Sequence, residues 1–586
     1  MYLKKSKRTN KDGKERVYLS IAKKVRNPLS GKAIDSVVMS VGFLDELLIE
    51  FPDPIAHFTE VARQMTEEEN AARRVSISLD MNDTLSTDTD DHFNLGYAAI
   101  LKLYHSLGLT RLLNNAQRHR DFSYNVNAIV TLLVISRILY PGSKKKAFEH
   151  KDRFFERFDF ELVDVYRSLS FLTSIASDVQ RQINEAVAAN YGRDTSLIYY
   201  DVTNFYFEID DEDDLRKRGF SKEKKRDPIV QMGLALDRDG IPIHYDLFEG
   251  NVPDTITFRK VIGAIRRNYN TGRVIVVADK GITSGDNIYY LVGGEKRARA
   301  SNGYIFSYSI AGSTEEFRRY VLNSEGYYDP SGAKVTEATD FKIKSRRAAR
   351  EILVTMRSGK KVSKTVYEKQ VVFWSRKHAE KARLEREKKI AKAMAMIANP
   401  SQLTRASSYG AAKYVQNISY DENTGEVLET GKHPALDHAK IEQEARLDGY
   451  YAIVTSEYDM SDTEIVGHYR GLWEIEDTFR VTKSVLDARP VYVSREDRIR
   501  AHFLICYIAL VIMRLLQRET GKLYSCERLV EAMQGISCTR EHDNIYLFGY
   551  RTEVSDAIGS ALDIDFTKKR MRLQDIKKLL ADCKRL

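Results

Sequence analysis

The sequence predicts an α+β protein. Its core is a mixed sheet with flanking helices, interrupted by a β-containing insertion and set between helical N-terminal and C-terminal regions. Three observations predict this. SLIYYDVTNFYFE (196–208) is apolar on both faces, as a central strand must be. Across 195–310 the pattern runs strand, strand, strand, helix, strand, helix, strand, the signature of a mixed sheet. DGYYAIVTS (448–456) then reads as a strand returning to that sheet after about 160 intervening residues.

Each element follows from local chemistry. In residues 1–90, ERVYLSIAKKV and AIDSVVMSVGFL are rich in β-branched residues and flank the turn-like NPLSGK, so a small β-containing module is expected. SLDMNDTLSTDTDDHF (78–93) reads as a linker. Residues 91–192 carry apolar side chains at 3–4 spacing in NLGYAAILKLYHSLGLTRLL and VNAIVTLLVISRILY. Pro141-Gly142 ends the second segment, and Lys144, Lys145 and Lys146 follow. A helical DNA-binding domain and a helical packing domain with solvated lysines both fit this stretch. The core spans 193–310 and 448–520. PIVQMGLALD and IPIHYDLFEG form a hairpin about Arg238-Asp239-Gly240, residues 254–268 a helix, RVIVVAD a short strand, GDNIYYLV the start of a helix, and NGYIFSYSI a fifth strand. The insertion, 311–447, holds strand-like EILVTM and KTVYEKQVVFW and a charged helical run that Pro400 closes. A long helix runs from near Asp462 to before Pro490. The remainder, to 586, reads as helical with a basic tail over 521–586.

Composition sets outer limits. At ~150 residues per domain, 586 residues suggest about four folding units, and 43% hydrophobic with 30% charged residues describes a globular chain. The longest apolar run, Phe503–Met513, is too short to span a bilayer, and the charged N-terminus has no secretory apolar region. Four cysteines without CxxC spacing form neither a disulfide framework nor a zinc site. No phosphate-binding GxxxxGK[ST] or GxGxxG loop is present. The net charge is only +9, but 341–390 holds 17 Lys and Arg against 5 Glu, a surplus of 12, so the other residues sum to −3. This uneven distribution predicts a nucleic acid held against the insertion, with strongly salt-dependent binding.

Three acidic residues stand out. Asp201 lies mid-strand, where an uncompensated charge costs several kcal/mol. Asp279 ends VIVVAD, at the carboxyl edge where open sheets place their sites. On a helical wheel with Leu472 at 0°, Phe479 and Leu486 mark the apolar face; Glu476 falls at about +40° and Lys483 at about +20°, on the side expected to pack on the sheet. Two Asp and one Glu can hold two hard cations through oxygen ligands, and Mg²⁺ favours such sites. Paired ions stabilise both oxygens of a phosphoryl transfer. Elsewhere the DDEDD run at 210–214 reads as a solvated loop, His502 as a core histidine and Trp473 as a packing residue.

The ordered set resembles a DDE transposase of the IS4-type insertion-sequence group, nearest its IS1634-like branch. The matching segments are YYDVTNFYF, VIVVADKGI and YRGLWEIEDTFRVTK. The last is similar to the group's Tyr-x-x-Arg-x-x-x-Glu-x6-Lys signature, with Tyr469, Glu476 and Lys483 in place and Leu472 where the group has Arg. Arg480, at about +80°, is a better substitute than Arg470, about 160° round the helix. The resemblance implies an RNase H-like core with Asp201, Asp279 and Glu476 holding two Mg²⁺ ions (Mn²⁺ able to substitute). It implies strand cleavage at transposon ends and 3′-OH transfer into target DNA. Tyr469, Lys483 and Arg480 would contact DNA phosphates, and Trp374 could stack a flipped base, although a core or strand-surface role fits it as well. The partners implied are double-stranded DNA, as terminal inverted repeats and target, and a second copy of the chain in the synapse. The setting implied is the cytoplasm, at the nucleoid of a prokaryotic cell. Two alternatives are a transposase-derived DNA-binding protein that no longer cuts, and an RNase H-like nuclease without strand transfer.

Overall fold

The structure, a computed structural model, describes all residues except 10–14, 27–32, 73–81, 83, 85–86, 88–89, 119, 220–226, 270, 293–301, 357, 400–409, 421–426, 542–543 and 586. The NPLSGK turn, Pro400, and most of the 78–93 linker and of the basic run 216–226 lie outside the described residues. The chain forms two compact units, Met1–Thr89 and Asp90–Leu586. In the first, β1 (Tyr2–Thr9), β2 (Glu15–Arg26) and β3 (Ala33–Phe43) make an antiparallel sheet. It is followed by α1 (Leu44–Glu50) and α2 (Pro54–Ala72).

The second unit begins with β4 (His92–Asn94) and six helices: α3 (Tyr97–Ser106), α4 (Leu109–Gln117), α5 (Val126–Leu139), α6 (Lys144–Glu149), α7 (Leu162–Ser174) and α8 (Ala176–Tyr191). Asn125 and Ser143 accept the first free amides of α5 and α6, which fixes where these helices start. The sheet region follows as β5 (Leu197–Tyr206), β6 (Ile229–Leu236), β7 (Pro242–Glu249), α9 (Asp254–Asn268), β8 (Ile275–Ala278), α10 (Gly285–Leu291) and β9 (Gly303–Tyr308). This is the expected order. Then come α11 (Glu315–Leu322), β10 (Phe341–Thr355), β11 (Lys361–Ser375), α12 (Arg376–Ala398), β12 (Val415–Tyr420), β13 (Val427–Leu436), α13 (His438–Ala445) and β14 (Tyr450–Thr455). The chain ends with α14 (Asp462–Arg470), α15 (Trp473–Arg480), α16 (Glu496–Glu519), α17 (Cys526–Gly535), β15 (Ser537–Arg540), β16 (Ile545–Phe548), α18 (Glu553–Leu562), β17 (Arg570–Arg572) and α19 (Leu573–Cys583).

Eight strands form one sheet in the order β10-β11-β14-β9-β8-β5-β6-β7. β5, β8 and β9 run parallel to one another, and the other neighbours are antiparallel. The segment expected as an insertion therefore contributes β10 and β11 to the main sheet. Alternation along β5 divides the residues of the core. Ile198, Tyr200 and Val202 pack with Phe258 and Ile262 of α9 and Ile288 of α10. Tyr199 and Phe205 belong instead to the larger helical core, which also contains Val277, Ile305, Ile475 and Phe479.

That larger core explains why two units replace the expected four. Helices from both ends of the second unit enter it, from Leu95 to Cys583, so neither end of that unit closes a core of its own. The C-terminal region also differs from its helical reading: β15–β17 pair with β4 in a four-stranded sheet. Strands of three or four residues are too short to display alternation in sequence. α16 is long and apolar enough to cross a bilayer by length and composition, but it is almost wholly buried inside the fold. His502, on this helix, is a core histidine as expected.

Lys144 departs from the solvated reading of the lysine triplet. It is buried against His502 Nδ1, while Lys145 and Lys146 are exposed. Burial, and to a lesser degree Arg137 nearby, pushes the Lys144 ammonium down to about 7. Between about pH 7 and pH 10 the unfolded chain holds a proton that the folded chain lacks, so stability rises with pH across that window. Lys144→Met should raise stability at pH 7 and flatten this rise; denaturant unfolding at pH 7 and pH 9 measures both.

A Cβ on Gly471, between α14 and α15, would stand 2.1 Å from the Tyr199 hydroxyl, whereas one on Gly467 would meet nothing within 4 Å. Gly471→Ala should therefore cost about 1–3 kcal/mol by overpacking. Gly467→Ala, at an exposed helical position, should gain about 0.5–1 kcal/mol. Thermal melts of the two variants should move in opposite directions.

Candidate active site

Asp201 sits at the centre of β5 and is half-buried. By alternation it shares a face with Tyr199 and Phe205, the face turned to the helical core. The parallel register pairs Leu197 with Ile275 and Tyr199 with Val277. Continued by two residues, it sets Asp201 beside Asp279. Asp279 keeps extended backbone angles, φ −81° and ψ 169°, so it prolongs β8 before the chain turns into the short helix Lys280–Ile282. The β8–β9 register, which pairs Ala278 with Phe306, likewise brings Ser307 beside Asp279. The Ser307 hydroxyl donates to Asp279 Oδ1 at 2.7 Å. Neighbouring strands lie about 4.8 Å apart. Two carboxylates held side by side at that spacing repel one another unless a cation lies between them.

α14 descends on this pair. Its start is fixed by a capping box in which Ser461 and Glu464 satisfy each other's amides. At its end the Tyr469 hydroxyl reaches Asp279 Oδ1 at 3.3 Å. Burial raises the Tyr469 pKa well above its ordinary value, and the Asp279 carboxylate adds to the rise, so the phenol stays protonated and donates. Tyr469, expected at a DNA phosphate, here steadies a carboxylate.

The single long helix expected over 462–489 is broken. It divides into α14, α15 and a π-turn at Val481–Val485. Within α15 the packed face is centred on Ile475, Thr478 and Phe479 rather than on Leu472, which is only half-buried, so Glu476 is exposed. Lys483 is half-buried, its Nζ 5.6 Å from the centre of the Phe205 ring. It thus lies over the β5 face that carries Asp201. Arg480 turns away to Asp477 (2.7 Å) and Glu527, so its charge is already matched. Arg470 lies over the Phe341 ring at 5.0 Å.

Trp374, on β11, donates its indole N–H to the Asp448 carbonyl at 3.0 Å and is half-buried between neighbouring groups. Trp473, read as packing, is 58% exposed. It rims a cleft of about 250 Å³ with Glu474, Asp477, Arg480 and Lys522. Much of the charge in 341–390 is neutralised within the fold. Arg346 pairs with Glu316 at 3.0 Å, and Arg350 with the fully buried Glu368 at 2.8 Å. Lys369 pairs with Asp462 at 2.8 Å, Arg376 with Asp340 at 2.7 Å, and Arg386 with Asp448. Arg346 and Arg350, within the basic window expected to face nucleic acid, are therefore engaged in ion pairs inside the fold. Ser307 went unread in the sequence; its signal is a small polar residue on the core-facing side of an otherwise apolar strand.

The chemistry of the donors fits a divalent cation. Asp201 and Asp279 offer hard oxygen ligands on one face, and among the described residues Asp279 is held by two neutral hydroxyls and by no ion pair. Glu476 stands exposed on α15. Among the described residues no three His, Cys, Asp or Glu side chains already converge on a metal position. The sheet itself thus supplies the aspartate pair. Outer-shell donors of this kind contribute about 10–100-fold to metal affinity. Ser307→Ala and Tyr469→Phe should each weaken Mg²⁺ or Mn²⁺ binding within that range, with little change in thermal melting; calorimetric titration of the metal measures the effect.

No curated protein gives a significant match to the chain. Among solved structures, a piggyBac transposase synaptic complex with hairpin DNA, determined by cryo-EM, matches 88% of this chain and 80% of its own at 9% identity. Its TM-score is 0.29, a likeness too slight to carry a structural argument. The transposase DDE domain family matches residues 194–512, a span that includes Asp201, Asp279 and Glu476. With more than half of its length matched from the approach to β5 into α16, the chain belongs to the transposase DDE domain family.

Proposed function

We propose that the protein cuts DNA at the ends of a transposable element and joins the freed 3′-OH to target DNA, as an IS4-type transposase of the IS1634-like branch. The observation that carries this reading is the aspartate pair, in register on adjacent parallel strands and steadied by Ser307 and Tyr469. The strands β7-β6-β5-β8-β9 would be its RNase H-like core. Asp201, Asp279 and Glu476 would hold two Mg²⁺ ions, or Mn²⁺ in their place. When bound, such ions polarise the scissile phosphate and stabilise both the attacking and the leaving oxygen.

The chain's own groups divide the remaining work. Asp201 and Asp279 fix the reaction centre to the rigid sheet. Tyr469 and Ser307 hold the Asp279 carboxylate in one orientation. Lys483, over the Asp201 face of β5, would supply positive charge toward a phosphate. In cleavage, the water oxygen bonds to phosphorus, the P–O3′ bond breaks, the 3′-oxygen leaves with a proton as a 3′-OH, and the other side keeps a 5′-phosphate. In joining, that hydroxyl attacks a target phosphodiester, one new P–O bond forms, and the target's own 3′-oxygen leaves with a proton. The second step conserves the number of phosphodiester bonds and needs no nucleotide energy source. Two copies of the chain would pair two DNA ends, at the nucleoid of a prokaryotic cell.

The test is incubation of purified protein with DNA carrying the element's terminal inverted repeats and a target plasmid, with Mg²⁺ or with EDTA. Strand transfer with Mg²⁺ alone is expected, and its loss in Asp201→Asn and Asp279→Asn. Binding without cleavage would favour an inactive DNA-binding protein. Cutting without joining would favour a nuclease, and cleavage retained in Asp201→Asn would sink the metal assignment.

A further inference from the structure

α12 has 23 residues, of which only Ala393 and Met396 are buried. Those two enter a small cluster with Tyr414 and Val415. The rest of the helix is polar on nearly every side, so core packing does not account for its composition. Arg386 is tied to Asp448, and Arg383 lies 3.9 Å from Glu387. One face is different. With Lys377 at 0° and 100° per residue, Lys388 falls at about 20°, Lys381 at about 40° and Lys392 at about 60°. All four are exposed, and among the described residues none makes a hydrogen bond or an ion pair. The stripe spans about 22 Å at 1.5 Å per residue.

The stripe has a defined starting point. Lys377 and Arg376 line a cavity of about 580 Å³ together with Phe341, Arg470, Asp340 and Glu380, and Arg376 is paired with Asp340. Arg470 directly follows Tyr469, whose hydroxyl is on Asp279. The exposed lysines therefore begin at the end of β11, three strands or about 14 Å across the sheet from β8, and run outward along one helix.

We infer that Lys377, Lys381, Lys388 and Lys392 form a phosphate track for duplex DNA leaving the cleavage site. This rests on the proposed function. At 3.4 Å of axial rise per base pair, the stripe is as long as about 6–7 base pairs of duplex. Four lysines in a row, with no aromatic or hydrogen-bonding partner between them, grip a backbone without reading its sequence. The expected grip is thus uniform across flanking sequences.

The test uses the full chain and a duplex carrying a terminal repeat with flanking DNA, with affinity measured across a salt series. Each phosphate contact contributes about 0.9 to the slope of log K against log salt. The variant K381Q/K388Q should lower that slope by about 2, and K377Q/K381Q/K388Q/K392Q by about 4. The protected footprint should shorten by about 6 base pairs in the fourfold variant. K577Q/K578Q, at exposed lysines of α19, should leave both unchanged. An unaltered slope and footprint in the fourfold variant would overturn the track. A fall of equal size in K577Q/K578Q would overturn it too, by showing a general charge effect. A wild-type protein that binds but never cleaves would defeat the proposed function, while the slopes would still decide the track.

Discussion

The parallel pairing of β5, β8 and β9 is the constraint on which the rest of the site depends. Parallel ladders fix residues of adjacent strands side by side, and alternation decides which face they share. Asp201, Asp279 and Ser307 come from positions more than a hundred residues apart at the extremes, yet backbone hydrogen bonding sets them in one row. No side-chain interaction is needed to assemble the pair. The helices then act on a finished arrangement: Tyr469 caps Asp279, and Gly471 lets the chain pass close over Tyr199.

Much of this was legible in sequence because strands buried on both faces are conspicuous. The order of β5 to β9 and the positions of Asp201 and Asp279 follow from apolar runs and their ends. The partner of Asp279 was not legible, because Ser307 matters only through a register that no local pattern encodes. The orientation of Glu476 failed for a different reason. The wheel centres the apolar face on Leu472, whereas the buried face of α15 is centred on Ile475, Thr478 and Phe479 and turns Glu476 to solvent. Lys144 failed because three lysines in a row read alike, while only the first meets His502 inside the core.

The basic segment shows why charge counts alone mislead. A surplus of 12 over 341–390 pointed to nucleic acid, but Glu316, Asp340, Asp448 and Asp462, all outside that window, neutralise much of it. Those pairs join β10, β11 and α12 to the elements around them. What is left without an ion pair is narrower than the window, and part of it lies along one side of α12. The distinction between a charge that holds the fold and one that faces solvent is set in three dimensions.

α12 follows β11 without a linker, and β11 is joined to β14 through six consecutive residue pairs, β14 to β9 through four, and β9 to β8 through four. The root of the helix is thus connected to Asp279 by an unbroken lattice of backbone hydrogen bonds. Such a lattice behaves as a ruler. The interval from the carboxylates to the base of α12 is set by strand spacing, and a change in it would require rupture of the sheet itself.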